Sequence, residues 1–139
     1  MVVIINAQGH VLGRLSTYVA KRLLNGDEVI VVNAEMAVIT GSRDEIFNRY
    51  YGKYKRGKII NGPFFPKRAD LIMKRTVRGM IPFKNPHGRE VYRNLKVFVG
   101  VPKELASAEM MKVEAATNVW TDKYVTLGEV SEHLGSKVR

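Results

Sequence analysis

The chain has 139 residues, 45% of them apolar, which suits one ordinary domain with a single core. It has no cysteine, and His10, His87 and His133 lack metal-ligand spacing, so neither a disulfide framework nor a structural metal is expected. The net charge of +10 points to a polyanionic partner.

In chain order, Val2 to Ile5 is an apolar, β-branched run that reads as a buried strand, and Asn6 to His10 is the turn out of it. Leu12, Leu15, Val19, Leu23 and Leu24 fall at helical spacing until Gly26, a residue suited to the left-handed cap that ends a helix. Glu28 to Asn33 is a second short apolar run. Strand, helix and strand within about thirty residues imply a right-handed crossover onto a parallel sheet, the start of an α/β fold. Ser42 and Glu45 form a capping box for a second helix, which carries Ile46, Phe47, Tyr50 and Tyr51 to Gly52. Lys53 to Lys58 is then a polar, exposed segment.

Pro63 and Pro66 bracket Phe64 and Phe65 in an extended linker. Ala69 to Met80 returns to helical spacing through Leu71, Ile72, Val77 and Met80, and Pro82 ends the pattern. Phe83 to Gly88 has the composition of a constrained loop, followed by a short helix over Arg89–Leu95. Val97 to Val99 is the last clear strand, closed by Gly100 and Pro102. Lys103 to Ala116 has helix-forming composition, and Thr126 with Glu129 is a second capping box ahead of Val130 and Leu134. Residues 103–139 are expected to form a C-terminal extension of one domain spanning 1–139. Met110, Met111, Trp120, Tyr124 and Leu127 would pack it on that domain or on a neighbouring protein.

Charge is confined to one block. From Arg43 to Lys96, fifteen Lys or Arg stand against four acids, a net +11, whereas residues 1–42 are neutral and 97–139 carry −1. Such a patch would repel itself without a counterion-rich partner, so it predicts a nucleic-acid surface. On charge alone the candidate contacts are Lys53, Lys55, Arg56, Lys58, Lys67, Arg68, Lys74, Arg75, Lys84 and Arg93. His87, inside the block, is a candidate phosphate or base contact. Tyr50, Tyr51, Tyr54, Phe64 and Phe65 are interleaved with the cations; most belong to the core, and base stacking is reserved for one or two of them.

Enzymatic readings fare poorly. Gly9, Gly13 and Glu35 imitate a dinucleotide-binding unit, but the three-glycine G-x-G-x-x-G spacing is absent, as is any phosphate loop. Asp27 with Glu28, and Asp44 with Glu45, sit at a strand start and a helix start, where negative charge is solvated or favourable. No cofactor and no small-molecule substrate is expected. No apolar run reaches the roughly 20 residues of a membrane span, and the N-terminus lacks a secretory pattern, so the expected location is the cytoplasm.

The run Val77-Arg78-Gly79-Met80-Ile81-Pro82, then Gly88-Arg89, then Leu95-Lys96-Val97-Phe98-Val99-Gly100 resembles the signature of the large-subunit ribosomal protein thirteen family. Asn6-Ala7 with Leu12-Gly13-Arg14-Leu15, Val32-Asn33-Ala34-Glu35, and Ala37-Val38-Ile39-Thr40-Gly41 are similar to its N-terminal motifs, in the same order. The likeness spans residues 2–100 and favours the archaeal and eukaryotic branch. Bacterial members carry an extra N-terminal segment, and a His-containing stretch where this chain has Val101-Pro102-Lys103-Glu104.

The resemblance implies a three-layer α/β/α domain with a central, mostly parallel sheet, Rossmann-like in topology but without the dinucleotide fingerprint. It implies a structural constituent of the large ribosomal subunit that binds its rRNA, supports assembly, neighbours other large-subunit proteins and catalyses nothing. Arg14, Arg78, Arg89 and Lys96 become the leading RNA contacts, with Gly79, Pro82 and Gly88 shaping the loop that presents them. The competing readings are a general RNA or DNA binder outside the ribosome and a nucleotide-dependent enzyme on a Rossmann-like fold.

Overall fold

The computed structural model describes residues 1–58, 60–117 and 121–137; Trp120 lies outside them. In chain order the elements are β1 (Val2–Asn6), α1 (Leu12–Leu24), β2 (Glu28–Val32), β3 (Val38–Thr40), α2 (Arg43–Lys55), α3 (Ala69–Arg78), α4 (Pro86–Arg93), β4 (Leu95–Val97), α5 (Glu114–Thr117), β5 (Tyr124–Thr126) and α6 (Leu127–His133). The class is α/β, as the sequence pattern predicts. Its central sheet is parallel, in the order β1-β2-β4.

Alternation along the strands decides which face of that sheet is buried. Val3 and Ile5, Val29 and Val31, and Leu95 and Val97 share one face and are buried there. Leu12, Leu15, Val19 and Leu23 line the matching side of α1, and α3 lies beside it with Ile72, Met73 and Val77. Each such side chain contributes about 1.5–3 kcal/mol by leaving water. Both crossovers, β1 to β2 and β2 to β4, step the same way across the sheet, and right-handed connections of that kind bring their helices to one face. The other face is more open: Ile4 and Ile30 are half-buried, and Val2, Glu28 and Lys96 are exposed.

Boundaries differ from the sequence reading in several places. α2 runs past Gly52 to Lys55, so Lys53 and Lys55 are exposed on its last turn rather than in a loop. Its cap has one arm, Ser42 Oγ accepting the Glu45 N–H at 3.3 Å, whereas Thr126 and Glu129 exchange both bonds at 3.2 Å. α3 stops at Arg78, before Met80. α4 begins at Pro86 instead of Arg89, because proline's preset φ and missing N–H suit the first helical position. The last parallel strand is Leu95–Val97, two residues ahead of the predicted Val97–Val99.

The largest difference lies in Lys103–Ala116, whose helix-forming composition yields only a 3₁₀ turn at Lys103–Leu105 and the short α5. Between them the backbone completes the sheet edge. Met111 N–H donates to the Ile4 carbonyl at 2.9 Å, and Asn6 N–H donates to the Met111 carbonyl at 3.2 Å. Tertiary pairing overrides local propensity here. β5, too short to show alternation in the sequence, pairs antiparallel with β3, setting Val38 opposite Thr126. Val113, Ala116, Val125, Leu127, Val130 and Leu134 enter the same core as the N-terminal strands and helices.

His10 joins the two ends. It is fully buried; its Nδ1 lies 3.1 Å from the Gln8 carbonyl, and its Nε2 accepts the Val113 N–H at 2.9 Å. Those partners require a neutral ring with its proton on Nδ1. Burial, aided by nearby Lys112 and opposed by the Gln8 and Ala7 backbone bonds, lowers its pKa from the ordinary 6.5. The unfolded chain therefore binds this proton more readily, so stability is full above about pH 6.5 and is lost as pH falls through the lowered folded value. Melting temperature should accordingly drop between about pH 7.5 and 5, and His10→Gln should start lower but fall less steeply over that interval.

Candidate nucleic-acid interface

Helical spacing turns α3 into a two-sided element. Ala69, Ile72, Met73 and Val77 are buried, while Lys74, Arg75 and Arg78 emerge on the opposite side. Lys53 and Lys55 end α2, and Arg56 and Lys58 follow it into solvent. Lys67 is half-buried, and its carbonyl accepts the Ser131 hydroxyl at 2.7 Å, which ties the approach to α3 down onto α6. Arg68 is exposed and donates to Asp70 at 3.3 Å.

Lys84 is exposed in the turn before α4, and His87, Arg89 and Arg93 are exposed on α4 itself. Arg14 is exposed on the first turn of α1. Lys96 and Arg93 face a separate hollow shared with Glu28, Ile30 and Asn94 at the open side of the sheet. Most of the predicted cations thus converge on α2, α3 and the segment between them, while Lys96 points elsewhere.

Aromatic rings underlie the convergent group. Lys53 Nζ stands 5.0 Å from the Tyr50 ring centre and 5.7 Å from that of Phe65, and the Arg75 guanidinium is 5.8 Å from the same Phe65. Lys67 lies 4.7 Å from Tyr54, Lys55 5.1 Å from Tyr51, and Lys74 5.2 Å from Tyr92. Arg78 lies 4.6 Å over Phe83, whose ring meets Tyr92 edge-on at 5.3 Å. Each contact is worth about 0.5–1 kcal/mol at an exposed site and narrows the rotamers of a long side chain. Among the described residues, no acidic partner cancels these cations.

Crowding shows in the titration. Burial first, then the charges of Arg49 and Arg56, lowers the Lys53 pKa, and burial raises that of Tyr92 against the pull of Arg78 and Arg75.

The turn from Gly79 to Asn85 projects beside this group and walls a hollow of about 460 Å³ with Arg78, Ile81, Pro82, Phe83 and Lys84. Gly88 belongs to α4 and not to the turn, contrary to the sequence reading, yet it governs the turn's position. A Cβ there would overlap the Pro82 carbonyl, so only glycine lets α4 approach so closely. Gly79 is different: it caps α3 at φ −67°, and the nearest atom to an added Cβ would be the Thr76 carbonyl at 3.6 Å, an ordinary contact.

A family model described as ribosomal protein L13 matches residues 1–104, which include the whole basic block. The chain belongs to the ribosomal protein L13 family. It is 56% identical to the large ribosomal subunit protein uL13 of Archaeoglobus fulgidus, over 95% of this chain and 86% of the relative. It is 47% identical to uL13 of Methanocaldococcus jannaschii over 96% and 98%, and 42% identical to that of Picrophilus torridus over 94% and 95%. These archaeal relatives match beyond residue 104, so they share the segment that closes the sheet edge.

Within the L13 match, the residues that sequence reasoning missed are the supports. Phe83, read only as a loop residue, and Tyr92 both lie next to the motif's cations in space. Arg49, counted in the charge but not as a contact, lines a hollow with Leu12, Gly13 and Thr76. Glu35, part of the dinucleotide imitation, instead accepts the Gly100 N–H at 2.9 Å and pins the end of the central sheet.

The glycine geometry is testable in one pair of variants. Gly88→Ala should lower stability by about 1–3 kcal/mol in chemical denaturation because backbone, not a side chain, blocks the methyl group. Gly79→Ala should stay within about 0.5 kcal/mol of the parent.

Proposed function

We propose that this chain is a structural constituent of the large ribosomal subunit, binding its rRNA through the basic surface of residues 43–96 and supporting subunit assembly without a catalytic role. The observation that carries this reading is the row of cations on α2, α3 and the segment between them, each seated on an aromatic ring. Family membership gives the row its partner, since the archaeal relatives are named as large-subunit proteins. Lys53, Lys55, Arg56, Lys58, Lys67, Arg68, Lys74, Arg75, Arg78, Lys84, His87 and Arg89 form the main contact surface. Arg14, Arg93 and Lys96 extend it to other RNA segments or neighbouring proteins. The place of action is the ribosome in the cytoplasm.

The mechanism is phosphate-led. Lysine and arginine replace condensed counterions along the RNA backbone, and their release drives association. Arginine adds geometry, because its planar fork spans two phosphate oxygens or lies on a base. Seating the side chains beforehand reduces the rotamer entropy lost on binding. Folded RNA is therefore recognised by the spacing of its phosphates more than by base sequence.

With roughly 6–10 phosphates engaged, affinity for deproteinised large-subunit rRNA should fall by about three to five orders of magnitude between 50 and 200 mM salt. A nearly flat dependence would reject the phosphate-led reading. At fixed salt, Arg78→Lys or Arg89→Lys should lose about 1–3 kcal/mol of binding in at least one case, while Lys55→Arg changes little. If both lysine variants bind like the parent, these arginines supply charge alone.

A further inference from the structure

Among the five aromatic residues interleaved with the basic block, four have their rings engaged. Tyr50 is only 7% exposed and touches Phe65 and Lys53; Phe65 also carries Arg75; Tyr54 carries Lys67; and Tyr51 carries Lys55 while meeting Tyr54 and His133. Phe64 is different. It is 66% exposed, and among the described residues no cation or second ring lies against it. With two-thirds of the residue left in water, the fold gains little from this ring.

The surrounding backbone holds this ring in place. Lys58 and Gly62 exchange backbone hydrogen bonds of 3.1 and 2.9 Å, closing a tight turn just before it. Gly57, at φ +91°, sits so close to the Gly62 carbonyl and the Pro63 ring that any side chain would collide with them. A Cβ on Gly62, at φ +75°, would press on the Phe64 ring at 3.0 Å. Phe64 therefore rests one edge on bare backbone, and much of its surface stays open.

The same turn forms a hollow of about 300 Å³, lined by Tyr54, Lys55, Arg56, Gly57, Lys58, Pro63 and Phe64. Three cations and no acid border an aromatic and prolyl floor. An unpaired nucleotide brings a planar apolar face together with a negative phosphate, and a hollow of this composition offers both counterparts. A protein side chain would satisfy the floor but leave the three cations without partners.

We propose that Phe64 is a base-stacking platform, taking one unpaired RNA base on its ring while Lys55, Arg56 and Lys58 hold the adjoining phosphates. This rests on the RNA-binding reading of the basic surface. It adds a site that reads a single-stranded or bulged nucleotide, in contrast to the phosphate spacing read by α3.

The test uses the full chain and deproteinised large-subunit rRNA. Phe64→Leu should bind roughly 5- to 100-fold more weakly, with an unchanged salt dependence because no phosphate contact is lost. Lys55→Ala should instead make the salt dependence shallower by about one ion. Phe64→Trp should keep parental affinity, and its emission should be quenched by the RNA beyond any change in the parent, whose single tryptophan is Trp120. Thermal melts matching the parent confirm that the exposed substitutions leave the fold intact. Parental binding by Phe64→Leu, with no added quenching in Phe64→Trp, overturns the platform and leaves the RNA reading standing. Quenching that appears only when large-subunit proteins are added also overturns it, and makes the ring a protein anchor. A parent that binds no rRNA overturns both readings together.

Discussion

Ile72, Met73 and Val77 press α3 against α1 and β4, and because they recur at helical spacing the same helix must send Lys74, Arg75 and Arg78 the other way. The functional surface depends on this seating. Were α3 to rotate, the apolar stripe would leave the core and the cations would turn toward it, where an unpaired charge is costly. One burial pattern thus fixes both the interior of the domain and the direction in which its charge is offered. The turn that follows inherits its position from the same helix, and Gly88 then sets how closely α4 can close behind it.

A surface of like charges needs an arrangement that keeps it open without neutralising it. Acidic partners would hold the side chains in place but subtract from the field that attracts RNA. Aromatic rings hold them without that subtraction, since the ring quadrupole attracts a cation and carries no net charge. Arg43 with Glu129 at the start of the block, and Arg68 with Asp70 inside it, show the other solution, with nitrogen to oxygen separations of 3.7 and 3.3 Å. Elsewhere in the block, Lys53, Lys67, Lys74, Arg75 and Arg78 rest on Tyr50, Tyr54, Tyr92, Phe65 and Phe83.

The sequence was most legible where one period ran unbroken. β1, α1 and β2 each carry a clear apolar pattern, and α1 occupies Leu12 to Leu24 as its spacing predicts. Legibility failed where tertiary pairing decided. The strand-like Met111 sits among helix formers, and three residues of β5 are too few to show alternation. The cations could be counted from the sequence, but their supports could not. Lys74 reaches Tyr92, and Arg78 reaches Phe83, because of how α3, its following turn and α4 pack together, which no short-range spacing encodes. Phe64 and Phe65 are neighbours of identical chemistry, and only the folded backbone separates the engaged ring from the open one.

The closure of β1 by Met111, and of His10 by Val113, joins residues 103 positions apart in the latter case. As the chain emerges during synthesis, β1, α1 and β2 can dock early, but the outer backbone of β1 must wait until Met111 has been made. Through that interval the nascent domain displays an unpaired strand edge and, beside it, a buried-type histidine still in water. An exposed edge invites pairing with other chains. β1 is thus made more than a hundred residues before the strand edge that protects it, so the time taken to translate the intervening chain sets how long the newborn protein remains adhesive.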